Sequence, residues 1–204
     1  MSQLIFDDLT NRSNILPFEG EAIYYGKQYT YEEGKLMFNA LLQHIQWEND
    51  QVHLFGKTHI TNRKVAFYGV LGCKYNYSGK LHLALPWTDE LLKLKSITEE
   101  LTQATYNACL LNLYHSGKEA MGWHADNERE MKGGGSIASW SFGAERPFVF
   151  KHRTSGTKRE LLLEHGSLLE MKGETQFFWL HQLPKRLRIH APRINVTFRE
   201  MLAD

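Results

Sequence analysis

Two segments in the first half of the chain carry apolar residues at the spacing of an amphipathic helix. The first opens on the capping box Thr30-Tyr31-Glu32-Glu33, and its apolar residues recur at intervals of four: Met37, Leu41 and Ile45. The second opens at Thr88 with acidic residues in its first turn, and its apolar stripe is Leu94, Ile97, Leu101 and Ala104. We therefore predict two helices ahead of the remaining fold.

From residue 107 the hydrophobic period changes from 3.6 to 2. Short alternating segments follow, mostly separated by glycine or proline: ACLLNLY, SIASWSF, RPFVFKH, ELLLEH, SLLEM, TQFFWLHQL and RINVTFR. Short strands at this spacing are typical of a β-sandwich or barrel, and helices ahead of them give an α+β class. Segments 52–56 and 63–77 are expected to add strands at the sheet edge.

Composition limits the class of protein without identifying it. The 204 residues are 42% hydrophobic and 23% charged, which is ordinary for a globular domain and excludes a low-complexity or disordered chain. We find no apolar run long enough for a membrane span and no signal peptide, and two cysteines are too few for a disulfide scaffold. A cytoplasmic or nucleoid (or nuclear) protein, not a secreted one, is expected.

Charge is unevenly distributed although the formal net charge is only +1. Residues 1–50 hold eight acidic and three basic residues, whereas residues 51–88, 146–159 and 183–199 hold basic residues and no acidic ones. This pattern favours one cationic face and a polyanionic partner, although the same charges could be scattered over separate solvated hairpins.

A metal site is suggested by His124-Ala125-Asp126, since residues two apart in an extended segment project to the same side. The pair alone is a weak signal. His181, at the end of an aromatic segment in which Phe177, Trp179 and His181 would share a face, is the best third ligand. The competing histidines are His152, His165 and His190. Two histidines and one carboxylate leave coordination positions open, as in non-haem Fe(II) oxygenases.

The last strand places polar groups on one face and apolar groups on the other. Its polar face is Arg193, Asn195, Thr197 and Arg199. Arginines are expensive to bury unpaired, but they offer planar, bidentate donors to carboxylates, so an inward polar face would suit a dicarboxylate. Strand ACLLNLY adds Asn112 and Tyr114. A solvated, outward polar face is the alternative.

Together these residues resemble the AlkB family of Fe(II)/2-oxoglutarate dioxygenases. The resemblance covers about residues 50–202, and the RxNxTFR segment is its most specific part. It implies a double-stranded β-helix (jelly-roll) core with the two helices packed on it and a substrate-binding β-hairpin lid. It divides a single domain, 1–204, into an N-terminal extension and helix (1–50), a nucleotide-recognition lid (51–88) and the jelly-roll core (107–202).

The same resemblance implies the site and its reaction. Iron would be held by His124, Asp126 and His181. The distal carboxylate of 2-oxoglutarate would pair with Arg193, helped by Tyr114, while its metal-proximal end would lie by Asn112, Asn195 and Arg199. With Fe(II), O2 and 2-oxoglutarate, family members hydroxylate an N-methyl group on a damaged base, which then releases formaldehyde, with succinate and CO2 as co-products. The base must be flipped out or single-stranded to reach the iron.

Further stretches resemble the family branch that repairs double-stranded DNA. The resemblance implies that Phe55, in a predicted turn, wedges into the base stack and that Tyr77 in Tyr75-Asn76-Tyr77 stacks on the flipped base. It also implies that Glu128 accepts a hydrogen bond from an exocyclic amine. Arg63 and Lys64 are predicted to contact phosphates.

This chain departs from the branch at two positions beside the metal residues. Asn127 replaces an expected second acid and Ala125 replaces a common arginine, which leaves the lesion range open. We expect a monomer that acts on alkylated DNA, double- or single-stranded. The same chemistry on RNA or another substrate, and a nucleic-acid-binding jelly roll with a vestigial metal site, are the alternatives.

Overall fold

The computed structural model describes residues 13–54, 57–77 and 80–202, with the side chains of 52–54, 57–59, 75–77 and 80 left outside that description. The chain forms three helices and thirteen strands within these ranges. The elements are, in order, β1 (Glu21–Lys27), α1 (Tyr31–His44), β2 (Glu48–Leu54), β3 (Lys57–Gly69), β4 (Lys74–Tyr77), β5 (Lys80–Leu83), α2 (Asp89–Thr102), β6 (Ala108–Tyr114), β7 (Met121–His124), β8 (Ile137–Gly143), β9 (Arg146–His152), β10 (Lys158–Leu163), β11 (Ser167–Lys172), α3 (Thr175–Phe178), β12 (Trp179–Leu183) and β13 (Arg193–Arg199).

Most strands belong to two antiparallel sheets that face each other. The major sheet has the order β1-β11-β8-β13-β6-β3-β2, and the minor sheet has the order β10-β9-β12-β7. One apolar cluster lies between the sheets, where Phe150 and Trp179 of the minor sheet meet Leu169 and Met171 of the major sheet. This arrangement is the predicted jelly-roll core, and the expected α+β class is confirmed.

The two predicted helices form and cover the outer face of the major sheet. Thr30 and Glu33 make the reciprocal capping-box hydrogen bonds that start α1, and the Thr88 side chain caps α2. Apolar residues of both helices share a second cluster with Trp140, whose indole N–H donates to Thr98 Oγ1 at 2.7 Å. No helix within the described residues combines the length and apolar character that a membrane span needs.

The boundaries inside the chain differ from the predicted division. Strand β1 pairs with β11, so the N-terminal extension contributes a strand to the major sheet. Strands β2 and β3 also belong to that sheet, and only β4 and β5 form a separate two-stranded hairpin. The segment predicted as the lid, 51–88, is therefore divided. Its β4–β5 hairpin is separate from the two core sheets, whereas β2 and β3 are part of the major sheet.

The segment TQFFWLHQL is not one continuous strand, so the prediction that Phe177 shares a face with Trp179 and His181 is wrong. Residues Thr175–Phe178 form the short helix α3 before β12 begins. The Thr175 hydroxyl donates to the Lys172 carbonyl oxygen and accepts from the Glu21 backbone N–H, each at 2.7 Å, and so fixes this turn. As a result the Phe177 side chain is 58% exposed, whereas Trp179 and His181 are buried.

Four arginines of the three basic stretches cannot contribute to the expected cationic face. Arg63, Arg146, Arg193 and Arg199 are each no more than 4% exposed, so four of the expected surface cations lie inside the fold. A charge pattern in the sequence cannot distinguish these from solvated side chains, because the partners that allow burial come from distant strands. The exposed cations of the two later stretches are Arg153, Lys158, Arg159, Lys185, Arg186 and Arg188.

Gly143 is expected to be required for the junction between β8 and β13. Its φ is +90°, and an added Cβ would lie 2.4 Å from the Pro192 carbonyl oxygen. Gly143→Ala should therefore lower the free energy of unfolding by about 2–4 kcal/mol, measured by urea denaturation. Gly156 is the matched control, because its φ of +70° is similar but nothing lies within 4 Å of the added Cβ. Equal losses in the two variants would contradict the steric explanation.

Candidate active site

Three side chains converge at one end of the space between the two sheets. His124 ends β7 and pairs across the sheet with His181 on β12, and Asp126 follows two residues after His124. The Nε2 atoms of His124 and His181 lie 3.8 Å and 3.9 Å from the two carboxylate oxygens of Asp126. One ligand atom from each residue lies within 4.8 Å of the others.

The protonation state of this group suits a cation. Burial, helped by the nearby His124, lowers the pKa of His181 to about 3, so the imidazole is neutral at neutral pH. Burial alone would raise the pKa of Asp126, but the positive charge of Arg199, with smaller favourable interactions from the two histidines, brings it below its ordinary value. A neutral imidazole and an ionised carboxylate are the forms that bind metals.

The donor set fits Fe(II). The distances between the histidine nitrogens and the carboxylate are too long for hydrogen bonds, but they match ligands placed around a common ion. His124 Nδ1 lies 2.8 Å from the Gly122 carbonyl oxygen, which fixes the proton on Nδ1 and leaves Nε2 as an electron-pair donor. Two imidazoles and one carboxylate leave further coordination positions open.

A second group occupies the inner face of the major sheet, where Arg193, Tyr114 and Arg63 form a row across three strands. Arg193 pairs with Tyr114 in the β13–β6 ladder, and its guanidinium lies 5.5 Å from the centre of the Tyr114 ring. Arg193 donates to Ser141 Oγ at 2.8 Å, while its buried Nε has no hydrogen-bond partner among the described residues. Burial lowers the pKa of Arg193 to about 10, so it remains a cation in need of an anion.

The remaining polar residues of the last strand also point inward, so the solvated alternative is wrong. Asn195 pairs with Asn112 and donates to Ser139 Oγ and the Trp140 carbonyl oxygen, each at 2.8 Å. Arg199 lies 3.8 Å from Asp126, which brings the strand to the metal triad. Arg193, Asn112, Tyr114, Asn195 and Arg199 therefore line one cavity with the triad, with a volume of about 470 Å³.

The predicted substrate contacts have different outcomes. Glu128 lines the cavity, 4.0 Å from Arg199. Phe55 lies outside the described residues, and for Tyr75 and Tyr77 the description covers the backbone of β4 but not the side chains. Their roles stay predictions.

Arg63 lines the cavity but is not an exposed phosphate contact, and that interpretation is wrong. It is buried, and its Nη2 donates to Asp50 at 2.7 Å. The guanidinium also lies 5.9 Å from the Tyr114 ring centre. Arg63 can be buried in the cavity wall because the buried carboxylate of Asp50 pairs with it.

The sequence analysis did not identify several residues of the site. Gln176 on α3 accepts the Asp126 backbone N–H at 2.9 Å and so fixes the loop that carries the carboxylate. Leu81, His82 and Leu83 of β5 line the cavity from the separate hairpin. The alternation in KLHL signals a strand, but nothing in it indicates which site the strand faces.

The competing histidines lie elsewhere. His152 is buried with its Nε2 2.7 Å from Glu19, His165 accepts the Gly143 backbone N–H, and His190 is exposed. None of the three belongs to a metal-ligand group within the described part of the chain. This leaves His181 as the histidine that joins His124 and Asp126.

A jelly roll with an open two-histidine, one-carboxylate group and a buried arginine defines the class of Fe(II)- and 2-oxoglutarate-dependent oxygenases. Residues 22–199 match the 2OG-Fe(II) oxygenase superfamily. The DNA oxidative demethylase ALKBH2 of Mus musculus is 39% identical over 195 residues, covering 90% of this chain and 82% of that protein. The alpha-ketoglutarate-dependent dioxygenase alkB homolog 3 of Bos taurus is 34% identical over 183 residues, covering 85% and 63%.

The solved structure of OsALKBH1 shares the fold, with a TM-score of 0.64 at 14% identity, and the match covers 91% of this chain and 99% of that one. The chain therefore belongs to the AlkB family of the 2OG-Fe(II) oxygenase superfamily. It is a dioxygenase whose cofactors are Fe(II), 2-oxoglutarate and O2.

His181→Ala is expected to remove high-affinity metal binding, because one of three ligands is lost from a preformed site. The dissociation constant for Mn(II), a redox-stable substitute for Fe(II), should rise at least about tenfold by isothermal titration calorimetry. His190→Ala removes an exposed histidine and serves as the control. Unchanged Mn(II) affinity in His181→Ala would show that the third ligand lies elsewhere.

Arg193→Ala should raise the KM for 2-oxoglutarate by roughly 100-fold, since a buried, charge-assisted pair with the distal carboxylate is lost. Succinate formation measured against 2-oxoglutarate concentration reports this change. Arg159→Ala, which removes an exposed arginine, should leave the KM unchanged. A KM in Arg193→Ala equal to that of the unmodified protein would contradict the assignment.

Proposed function

We propose that this protein repairs N-alkylated bases in DNA by oxidative demethylation, with lesions of the 1-methyladenine and 3-methylcytosine type as substrates. The reaction consumes O2 and 2-oxoglutarate and releases succinate, CO2, formaldehyde and the restored base. One observation carries this proposal: the metal triad and the buried dicarboxylate-binding arginine line the same cavity. A volume of about 470 Å³ is within the range of sites that hold small molecules.

The residues of the cavity divide into a metal side and a co-substrate side. His124, Asp126 and His181 would hold Fe(II), which with O2 and 2-oxoglutarate supplies the oxidation of an N-methyl carbon. Arg193, held by Ser141 and packed on Tyr114, binds the distal carboxylate of 2-oxoglutarate. Asn112, Asn195 and Arg199 surround the end near the metal.

Gln176 and Arg199 position the carboxylate of Asp126 rather than reacting themselves. Gln176 accepts the backbone N–H of Asp126, and Arg199 lies 3.8 Å from the side chain. Fixed ligands would hold the metal in a defined geometry relative to the bound substrate.

The substrate base would enter beside the β4–β5 hairpin. Leu81 and Leu83 line the cavity and are 56% and 65% exposed, so they offer an apolar surface at its mouth. A base inside a duplex cannot reach this depth, so the nucleotide has to be flipped out. Phe55 would fill the gap in the stack, Tyr75 and Tyr77 would hold the flipped base, and Glu128 would accept a hydrogen bond from its exocyclic amine.

DNA is favoured as the polymer by the names of the relatives. ALKBH2 proteins of Mus musculus and Homo sapiens, both named DNA oxidative demethylases, are 39% identical to this chain. The exposed cations of residues 153–159 and 185–188 suit contacts with a phosphate backbone. RNA shares that charge, so it is the alternative polymer for the same chemistry.

A substrate panel tests the proposal. Iron-loaded protein with 2-oxoglutarate in air should release formaldehyde from 1-methyladenine in DNA, with one succinate formed for each formaldehyde. Double- and single-stranded DNA and RNA of one sequence form the panel, and Asp126→Ala is the inactive control. No formaldehyde from any methylated oligonucleotide, in protein that binds iron, would contradict the function, and faster turnover of RNA than DNA would reassign the polymer.

A further inference from the structure

A β-bulge in the β2–β3 hairpin places one acidic residue beneath the wall of the cavity. Asn49 pairs with Lys64 and Gln51 pairs with Ile60, so Asp50 alone lies opposite the segment 61–63. Bulges of this kind turn a side chain away from the regular alternation of a strand. Here the bulge brings the Asp50 carboxylate, which is 1% exposed, against the side chain of Arg63.

The Asp50 carboxylate holds Arg63 in one orientation. Its Oδ2 accepts from Arg63 Nη2 at 2.7 Å and from Thr61 Oγ1 at 3.0 Å, so both ends of the bulged segment are tied to it. Arg63 lines the cavity beside Met121 and the Tyr114 ring, whereas Asp50 itself does not line the cavity. Asp50 is therefore a charge placed directly behind a pocket residue.

Without Asp50, the positive and negative charges of the described side chains that line the cavity are equal in number. Among the residues whose side chains the structure describes, three guanidinium groups and three carboxylates line it: Arg63, Arg193, Arg199, Glu48, Asp126 and Glu128. The two positive charges of Fe(II) and the two negative charges of 2-oxoglutarate cancel. The negative charge of Asp50, next to Arg63, leaves the surroundings of the substrate pocket net negative.

A methyl group on N1 of adenine or N3 of cytosine occupies a ring lone pair and leaves the base positively charged at neutral pH. A guanidinium without a counter-charge in the pocket wall would repel such a base. We propose that Asp50 is a specificity-determining positioning residue, which neutralises Arg63 and so allows the pocket to accept cationic bases. This inference rests on the proposed DNA-repair function.

The test compares two methylated pyrimidines that differ in charge. 3-Methylcytosine is cationic and 3-methylthymine is neutral, and both carry the methyl group on the same ring nitrogen. The dissociation constants of otherwise identical labelled single strands are measured by fluorescence anisotropy, with Fe(II)- and 2-oxoglutarate-loaded protein in the absence of oxygen. Asp50→Asn should reduce the preference for the cationic base by about tenfold, as expected for a unit charge about 10 Å away at an effective dielectric constant of about 20.

Arg63→Gln and the double variant complete the cycle. Arg63→Gln removes the positive charge and should increase the preference for 3-methylcytosine, the opposite direction to Asp50→Asn. The double variant removes both charges and should return the preference to within about threefold of the unmodified protein. A general structural defect would weaken both ligands equally, so opposite shifts distinguish the charge effect even if Asp50→Asn is unstable.

An unchanged preference in both single variants, with the unmodified protein binding both strands, overturns the assignment of Asp50 and leaves the repair function standing. Equal weakening of both ligands also overturns it, since the ion pair would then act only on folding. A failure of the unmodified protein to bind or to repair either methylated strand contradicts the proposed function itself.

Discussion

Burial of positive charge between two β-sheets is the constraint on which the site depends. Arg63, Arg146, Arg193 and Arg199 are nearly inaccessible to water, and each has a different means of compensation. Arg146 donates to three backbone carbonyls, Arg63 pairs with Asp50, and Arg199 lies near Asp126. Among the described residues Arg193 contacts a hydroxyl and the face of a ring but no carboxylate, so we infer that its compensation comes from a bound anion. We propose that the dicarboxylate co-substrate supplies that anion, which would link co-substrate binding to the electrostatics of the core.

The fold and the inward polar faces of β6 and β13 were largely predictable because both depend on local periodicity. The alternation in RINVTFR and ACLLNLY fixes which side chains share a face, and the capping box of Thr30 and Glu33 fixes the start of α1. The metal residues could also be proposed from local patterns, because His124 and Asp126 lie two residues apart and His181 ends an aromatic segment.

The parts that could not be predicted depend on contacts between distant segments. The sequence marks Arg63 as one cation in an acid-free stretch, and only the bulge opposite Asp50 makes it a buried pocket residue. Gln176 and the short helix that displaces Phe177 follow from the hydrogen bonds of Thr175 to β1 and β11, which no local pattern encodes. The β-propensity of the aromatic residues predicts a continuous strand, but it takes no account of the long-range hydrogen bonds that interrupt it.

The most direct measurement of the central claim is a crystal structure of the protein with Mn(II) and 2-oxoglutarate. We expect one metal ion bonded to His124, Asp126 and His181, and a 2-oxoglutarate carboxylate in a two-point ion pair with Arg193. A metal ion bound elsewhere, or a co-substrate whose distal carboxylate does not contact Arg193, would contradict the account.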